Sequence, residues 1–150
     1  MELKDEVLIK APRERVYAAL NDPEVLRDCI PGCEELSKVS DTRLDAKVAL
    51  KIGPVKARFT GTVLLDPQDP PERFSLEGHG NGGAAGFARG GAAVELTELP
   101  EGTRLAYAAR AEIGGKLAQL GSRLVQGTAK KLADQFFKRF AERVEAVDAA

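Results

Sequence analysis

The sequence predicts an α+β fold: a curved antiparallel sheet wrapped around a long C-terminal helix, with two short helices after strand one. Three observations lead there. Apolar and polar residues alternate with period two at the start of the chain and through most of residues 33 to 114. After Gly114-Gly115 the period lengthens to three or four. Strands are thus grouped and helices segregated, whereas a parallel α/β fold would interleave them.

The first strand, residues 2 to 10, puts Leu3, Val7 and Ile9 on one face and Glu2, Lys4, Glu6 and Lys10 on the other. Pro12 opens an amphipathic helix carrying Val16, Tyr17 and Leu20 at helical spacing. Asn21-Asp22-Pro23 ends it and caps a second short helix, Glu24 to Cys29. Leu44, Ala46, Val48, Leu50 and Ile52 then share a strand face, and Gly53-Pro54 turns the chain. Val55, Ala57, Phe59, Gly61, Val63 and Leu65 continue the alternation. Residues 66 to 71, Asp-Pro-Gln-Asp-Pro-Pro, read as a loop because proline withholds a ladder donor. Phe74 and Leu76 begin the next strand, and another runs from about 86 to Leu99. Pro100-Glu-Gly102 turns it, and Arg104 to Ile113 points Leu105, Tyr107, Ala109 and Ala111 inward. Leu117, Leu120, Leu124, Thr128, Leu132, Phe136, Phe140 and Val144 predict a closing helix of about thirty residues. Residues 1 to 147 form one domain on this reading, with 148 to 150 as a tail. The order of elements is that of the helix-grip, or START-like, arrangement.

Composition restricts function. With 43% hydrophobic and 30% charged among 150 residues, the chain can bury a core of its own. Its 22 basic and 23 acidic side chains give no long-range positive field, which argues against nucleic acid as a partner. No apolar run reaches the length of a membrane span and no signal sequence opens the chain, so the expected compartment is cytoplasmic. Cys29 and Cys33 are too few for an iron–sulfur cluster, and with one histidine they cannot complete a zinc site. They read as buried thiols flanking a Pro-Gly turn. His79 alternates with Gly78 and Gly80 and so faces away from them, exposed. No catalytic residue, metal or cofactor is assigned.

The stretch GHGNGGAAGFARGG, residues 78 to 91, contains a Gly-x-Gly-x-x-Gly spacing. A dinucleotide loop of that spacing must lie between a strand and a helix of a βαβ unit. The residues after Gly83 are poor helix formers and make a plausible strand, so the phosphate reading lacks its context. Instead, Gly78, Gly80, Gly86, Ala88, Gly90 and Ala92 put tiny side chains on one face of a hairpin, joined by Ala46, Ala57, Ala109 and Ala111. Volume is left over, which predicts a cavity or a very close approach of the helix; Phe136, Phe137 and Phe140 are the residues that could fill it.

The final helix carries a basic stripe. Lys116, Arg123 and Lys130 are seven apart, with Lys131 and Lys138 almost in line. Such a stripe is either a solvated face or a dock for anionic headgroups or an acidic partner.

Three segments, NDPEVLRDCIPGCEEL (21 to 36), GHGNGGAAGFARGGAAVEL (78 to 96) and GGKLAQLGSRLVQGTAKKLADQFFKRF (114 to 140), resemble the carbon monoxide dehydrogenase G-subunit family. The resemblance spans essentially the whole chain. It implies a START-like fold and a non-catalytic accessory protein for a molybdenum-containing carbon monoxide dehydrogenase or a related hydroxylase. It also implies attachment at the inner face of the cell membrane and a link to the quinone pool. Joined to the cavity, it suggests an apolar ligand such as a quinone or lipid, lined by Ala57, Phe59, Ala88, Gly90, Tyr107, Ala109, Leu124, Thr128 and Leu132. Peripheral docking would use Lys116, Arg123, Lys130, Lys131 and Lys138. The alternatives are a cyclase or hydrolase of the same fold and a scaffold whose core is filled.

Overall fold

A computed structural model describes residues 1–149, with side chains for 1–146; the tail expected at 148–150 falls outside the fully described residues. In chain order the elements are β1 (Glu2–Ile9), α1 (Arg13–Leu20), α2 (Pro23–Cys29), β2 (Cys33–Ser40), β3 (Arg43–Ile52), β4 (Val55–Asp69) and β5 (Arg73–Asn81). A 3₁₀ turn (Gly83–Ala85), β6 (Phe87–Leu99), β7 (Gly102–Gly114), α3 (Lys116–Gln119) and α4 (Ser122–Ala149) complete the chain.

The seven strands form one antiparallel sheet in the order β1-β7-β6-β5-β4-β3-β2. Strands β2 to β7 form a meander, and only β1 leaves sequence order by pairing with β7. The helices α1 and α2 carry the chain from the β1 edge to the β2 edge. Asp22 caps α2, accepting from the Glu24 amide at 2.9 Å, and Pro23 occupies its first turn.

Register fixes one inner face. Leu105 lies between Val7 and Leu96, Ala109 between Leu3 and Ala92, and Gly90 opposite Gly78. At one end this face is filled: Ile9, Val16, Leu96, Leu105 and Phe140 are all fully buried. Thr103, fully buried among them, donates its hydroxyl to the Ala11 carbonyl at 2.7 Å.

Three sequence expectations are corrected. Residues 66–69 extend β4 instead of forming a loop, because the ladder shifts between Asp66 and Asp69 and asks no donor of Pro67. The C-terminal helical segment is two helices: Gly121, at φ +93°, breaks the backbone between α3 and α4, in a conformation that costs any L side chain. Of the two thiols only Cys29 is buried; Cys33 is half exposed at the start of β2, within reach of the Glu35 carbonyl at 3.4 Å.

Candidate functional site

Side-chain size falls along the neighbouring strands β5, β6 and β7 from the filled end toward the other. On the inner face β5 runs Phe74, Leu76, Gly78, Gly80; β7 runs Leu105, Tyr107, Ala109, Ala111; β6, read in reverse, runs Leu96, Val94, Ala92, Gly90, Ala88. The helix α4 repeats the gradient, with Phe136, Phe137 and Phe140 packed on the core and Val125, Thr128 and Ala129 at the other end. Its aromatic residues therefore cannot fill the space opposite the glycines. What remains is a cavity of ≈ 540 Å³ between the sheet and the first half of α4.

The cavity wall is almost wholly apolar, including Val48, Leu50, Phe59, Val63, Leu117 and Leu132. On the side chains that face inward it carries one hydroxyl, that of Thr128, and no acid–base group. His79, Arg89 and Arg110 border it only through the thin glycine-rich part of the sheet. Their side chains belong to the outer face, where a charged hollow of ≈ 590 Å³ includes Glu77, His79, Arg89 and Glu112. Arg89 and Glu112 pair there at 3.0 Å. Among the described residues no three His, Cys, Asp or Glu side chains gather as a metal site.

Of the nine residues read from sequence as cavity lining, Phe59, Ala88, Gly90, Ala109, Thr128 and Leu132 lie on the wall. Ala57, Tyr107 and Leu124 do not. Tyr107 stacks on Phe137, with ring centroids 5.0 Å apart, and so belongs to the filled end. Burial chiefly, and then the nearby Asp5 carboxylate, hold its hydroxyl proton more tightly than usual. Leu124 points out beside the Gly53 turn, 39% exposed. Ala57 sits opposite Leu50 on the β3–β4 hairpin, where Leu50 and Ile52 of β3 form the wall in its place. Sequence reading missed Ile30, at the end of α2, Ile113, in phase with Ala111 near the end of β7, and Val125 and Ala129 on α4, one position beyond Leu124 and Thr128 of the predicted stripe.

The glycines differ among themselves. A Cβ on Gly78 or Gly80 would find only ordinary contacts, 3.7 Å from Val63 Cγ2 and 3.9 Å from the Ala88 carbonyl. One on Gly90 would overlap the Arg110 carbonyl of β7. Gly78 and Gly80 leave room, while Gly90 permits a close approach of backbones.

The basic stripe is broken up. Lys130 donates to Asp5 at 3.0 Å and to Asp134 at 2.6 Å, which neutralises it and raises its proton affinity. Lys116 stands on α3, across the Gly121 break from Arg123, so their seven-residue spacing no longer sets a shared helical face. Arg123, Lys131 and Lys138 are exposed on α4. No helix among the described residues is long and apolar enough to cross a membrane.

A single sheet gripping one long helix, with an apolar cavity between them, defines a START-like protein. The chain belongs to the carbon monoxide dehydrogenase G-subunit (CoxG) family, whose model matches residues 6–145. The family takes its name from an accessory subunit. Among solved structures, a conserved protein from Geobacillus kaustophilus is 31% identical, with TM-score 0.90 over 97% of this chain and 96% of that one. A Thermus thermophilus protein is 24% identical at TM-score 0.73, covering 98% of this chain and 99% of its own. The Zhui aromatase/cyclase from Streptomyces sp. R1128 shares the fold at 12% identity and TM-score 0.66, over 97% and 93% of the two chains. No curated protein sequence matches the chain.

Proposed function

We propose that this protein is a non-catalytic accessory protein that holds an apolar ligand, of the quinone or lipid class, between its sheet and α4. It serves a molybdenum-containing carbon monoxide dehydrogenase or a related hydroxylase at the inner face of the cell membrane. The observation that carries the reading is the ≈ 540 Å³ apolar cavity, a volume ordinary for a small-molecule site. Membership of the CoxG family supplies the class of partner. An isoprenoid tail suits alanine and glycine walls, and the Thr128 hydroxyl is the inward polar group available to a ring carbonyl.

Native mass spectrometry with lipid extraction, on protein purified from a quinone-containing host, tests this. A co-purifying isoprenoid quinone or lipid that is lost in Ala88→Phe supports the reading; wild-type protein that stays empty when challenged with quinone overturns it. The aromatase/cyclase neighbour favours a second reading, a small-molecule-modifying enzyme of the same fold. An inner wall with one hydroxyl offers such chemistry little, and turnover of a cyclisable polyketide would be its test. A filled-core scaffold does not fit a cavity of this size.

A further inference from the structure

The helices α2 and α4 begin in opposite ways. α2 has the Asp22 cap, a proline in its first turn and the acidic Glu24 beside its free amides. α4 has none of these. Gly121, before it, carries no side chain that could cap it, and its first turn holds no acid. Arg123 instead puts a positive charge at the positive end of the helix dipole. Ser122, Val125, Gly127 and Thr128 are all poorer helix formers than alanine, Gly127 by the widest margin, whereas residues 129–135 are mostly Ala, Lys, Leu and Gln. The start of α4 is therefore the part of it least able to stay helical unaided.

Packing repeats the contrast. The second half of α4 is held by Phe136, Phe137 and Phe140 against the core and by Arg143 on Asp28. α3 is held as well: Leu117 is buried, and a Cβ on Gly115 would lie 2.6 Å from Gly86 Cα. Between these anchors, a Cβ on Gly121 or on Gly127 would meet no atom within 4 Å. Of the five residues that the two glycines enclose, Val125 lines the cavity and Leu124 is partly exposed beside the Gly53 turn. Gln126 tethers the segment to the edge strand, donating from Nε2 to the Glu2 carbonyl of β1 at 2.7 Å. A weakly helical segment with a glycine at each end thus lies over the cavity, between two elements that are fixed.

We infer that residues 122–126 are a flap, which unwinds and recloses about Gly121 and Gly127 while α3 and the rest of α4 stay in place, and that an apolar ligand reaches the cavity through it. Opening withdraws Val125 from the wall and uncovers Thr128 behind it. Five residues of helix span about 8 Å, which is wider than a flat ring is thick. The backbone groups set free meet water, because Ser122, Arg123 and Leu124 are already exposed. The route rests on the reading of the cavity as an apolar-ligand site; the flap itself does not.

Two measurements on the whole chain test it: hydrogen exchange followed residue by residue by NMR, and stopped-flow binding of N-phenyl-1-naphthylamine, an uncharged probe that fluoresces in apolar surroundings. The amides of residues 126–129, bonded to the carbonyls of the flap, should exchange on the order of a hundred-fold faster than those of residues 136–140. Low concentrations of urea should leave their rate unchanged, since a local opening exposes little surface. The probe enters only through the open flap, and the flap is closed over the empty and the filled cavity alike, so a change in flap stability alters association and dissociation equally and leaves Kd where it was. Gly127→Ala, whose methyl group meets no atom, should slow both rates roughly five-fold. Gln126→Met, which removes the tether, should speed both by roughly the same factor. Glu142→Gly weakens α4 beyond the flap and should change neither rate. Exchange at residues 126–129 as slow as at 136–140, exchange that rises with urea as global unfolding does, or probe rates indifferent to Gly127→Ala and Gln126→Met would each overturn the inference, the last while leaving the ligand reading in place. The expected exchange in a protein that takes up no probe would keep the flap and remove the ligand reading together with the route.

Discussion

At the scale of single residues, the glycine-rich stretch holds two kinds of glycine that the sequence makes look alike. Gly90→Ala places its methyl group against the Arg110 carbonyl, and strand β7 must move to admit it, at a cost of about 1–3 kcal/mol. Gly78→Ala adds a methyl that meets only ordinary contacts and removes freedom from the unfolded chain, so it should be neutral or stabilising by up to about 1 kcal/mol. Urea unfolding of the two variants distinguishes them, and equal effects would sink the claim that only Gly90 is fixed by backbone approach. A two-residue period reveals which face a residue takes, and it placed His79 outward and Ala88, Gly90 and Ala109 on the cavity face. It does not reveal how near the neighbouring backbone comes, because that depends on the path of β7, some twenty residues later.

Between elements, the link from β1 to α4 has a pH signature. The Lys130 ammonium holds the Asp5 carboxyl below the 3.8 of a free side chain, chiefly by its hydrogen bond. A carboxyl lowered in the folded state adds stability above the unfolded pKa and loses it as pH falls through the folded value. Asp5→Asn should therefore be less stable than wild type at neutral pH, with the difference closing below about pH 4. Thermal melts across pH 2 to 7 measure it; a gap that persists at low pH would mean that the substitution acts through packing. Asp45, lowered likewise by Arg43, titrates equally in both proteins and cancels. At this scale the strands and short helices were legible, because period two and period 3.6 differ over a few residues. The break at Gly121 was not. Leu117, Leu120 and Leu124 keep helical spacing through it, and a positive φ leaves no trace in hydrophobic periodicity. Pro67 misled for the converse reason: a rule about ladder donors does not apply where the ladder skips a pair.

For the whole molecule, the gradient of side-chain size divides one sheet and one helix into a packed half and an open half, and the two should respond oppositely to changes of volume. Phe140 is fully buried in the packed half, so Phe140→Ala should cost about 3–5 kcal/mol. Ala88→Phe adds as much volume as that change removes, but into space with no atoms, and should cost less than about 1.5 kcal/mol, within the range of tolerated core swaps. The small residues that mark the open half are visible in the sequence; the position of the aromatic residues opposite is not, because helical phase says nothing of which end of the sheet a side chain meets. A ligand that binds only the folded state raises its stability by an amount set by concentration over affinity, so a soluble quinone should raise the melting temperature of wild type and of Gly78→Ala. In Ala88→Phe the ring occupies the ligand's volume, so the shift should vanish while the fold, followed by circular dichroism, is kept. Equal shifts in Ala88→Phe and wild type would place the ligand elsewhere, on the charged outer hollow or the exposed end of α4, and would leave the open half without an occupant.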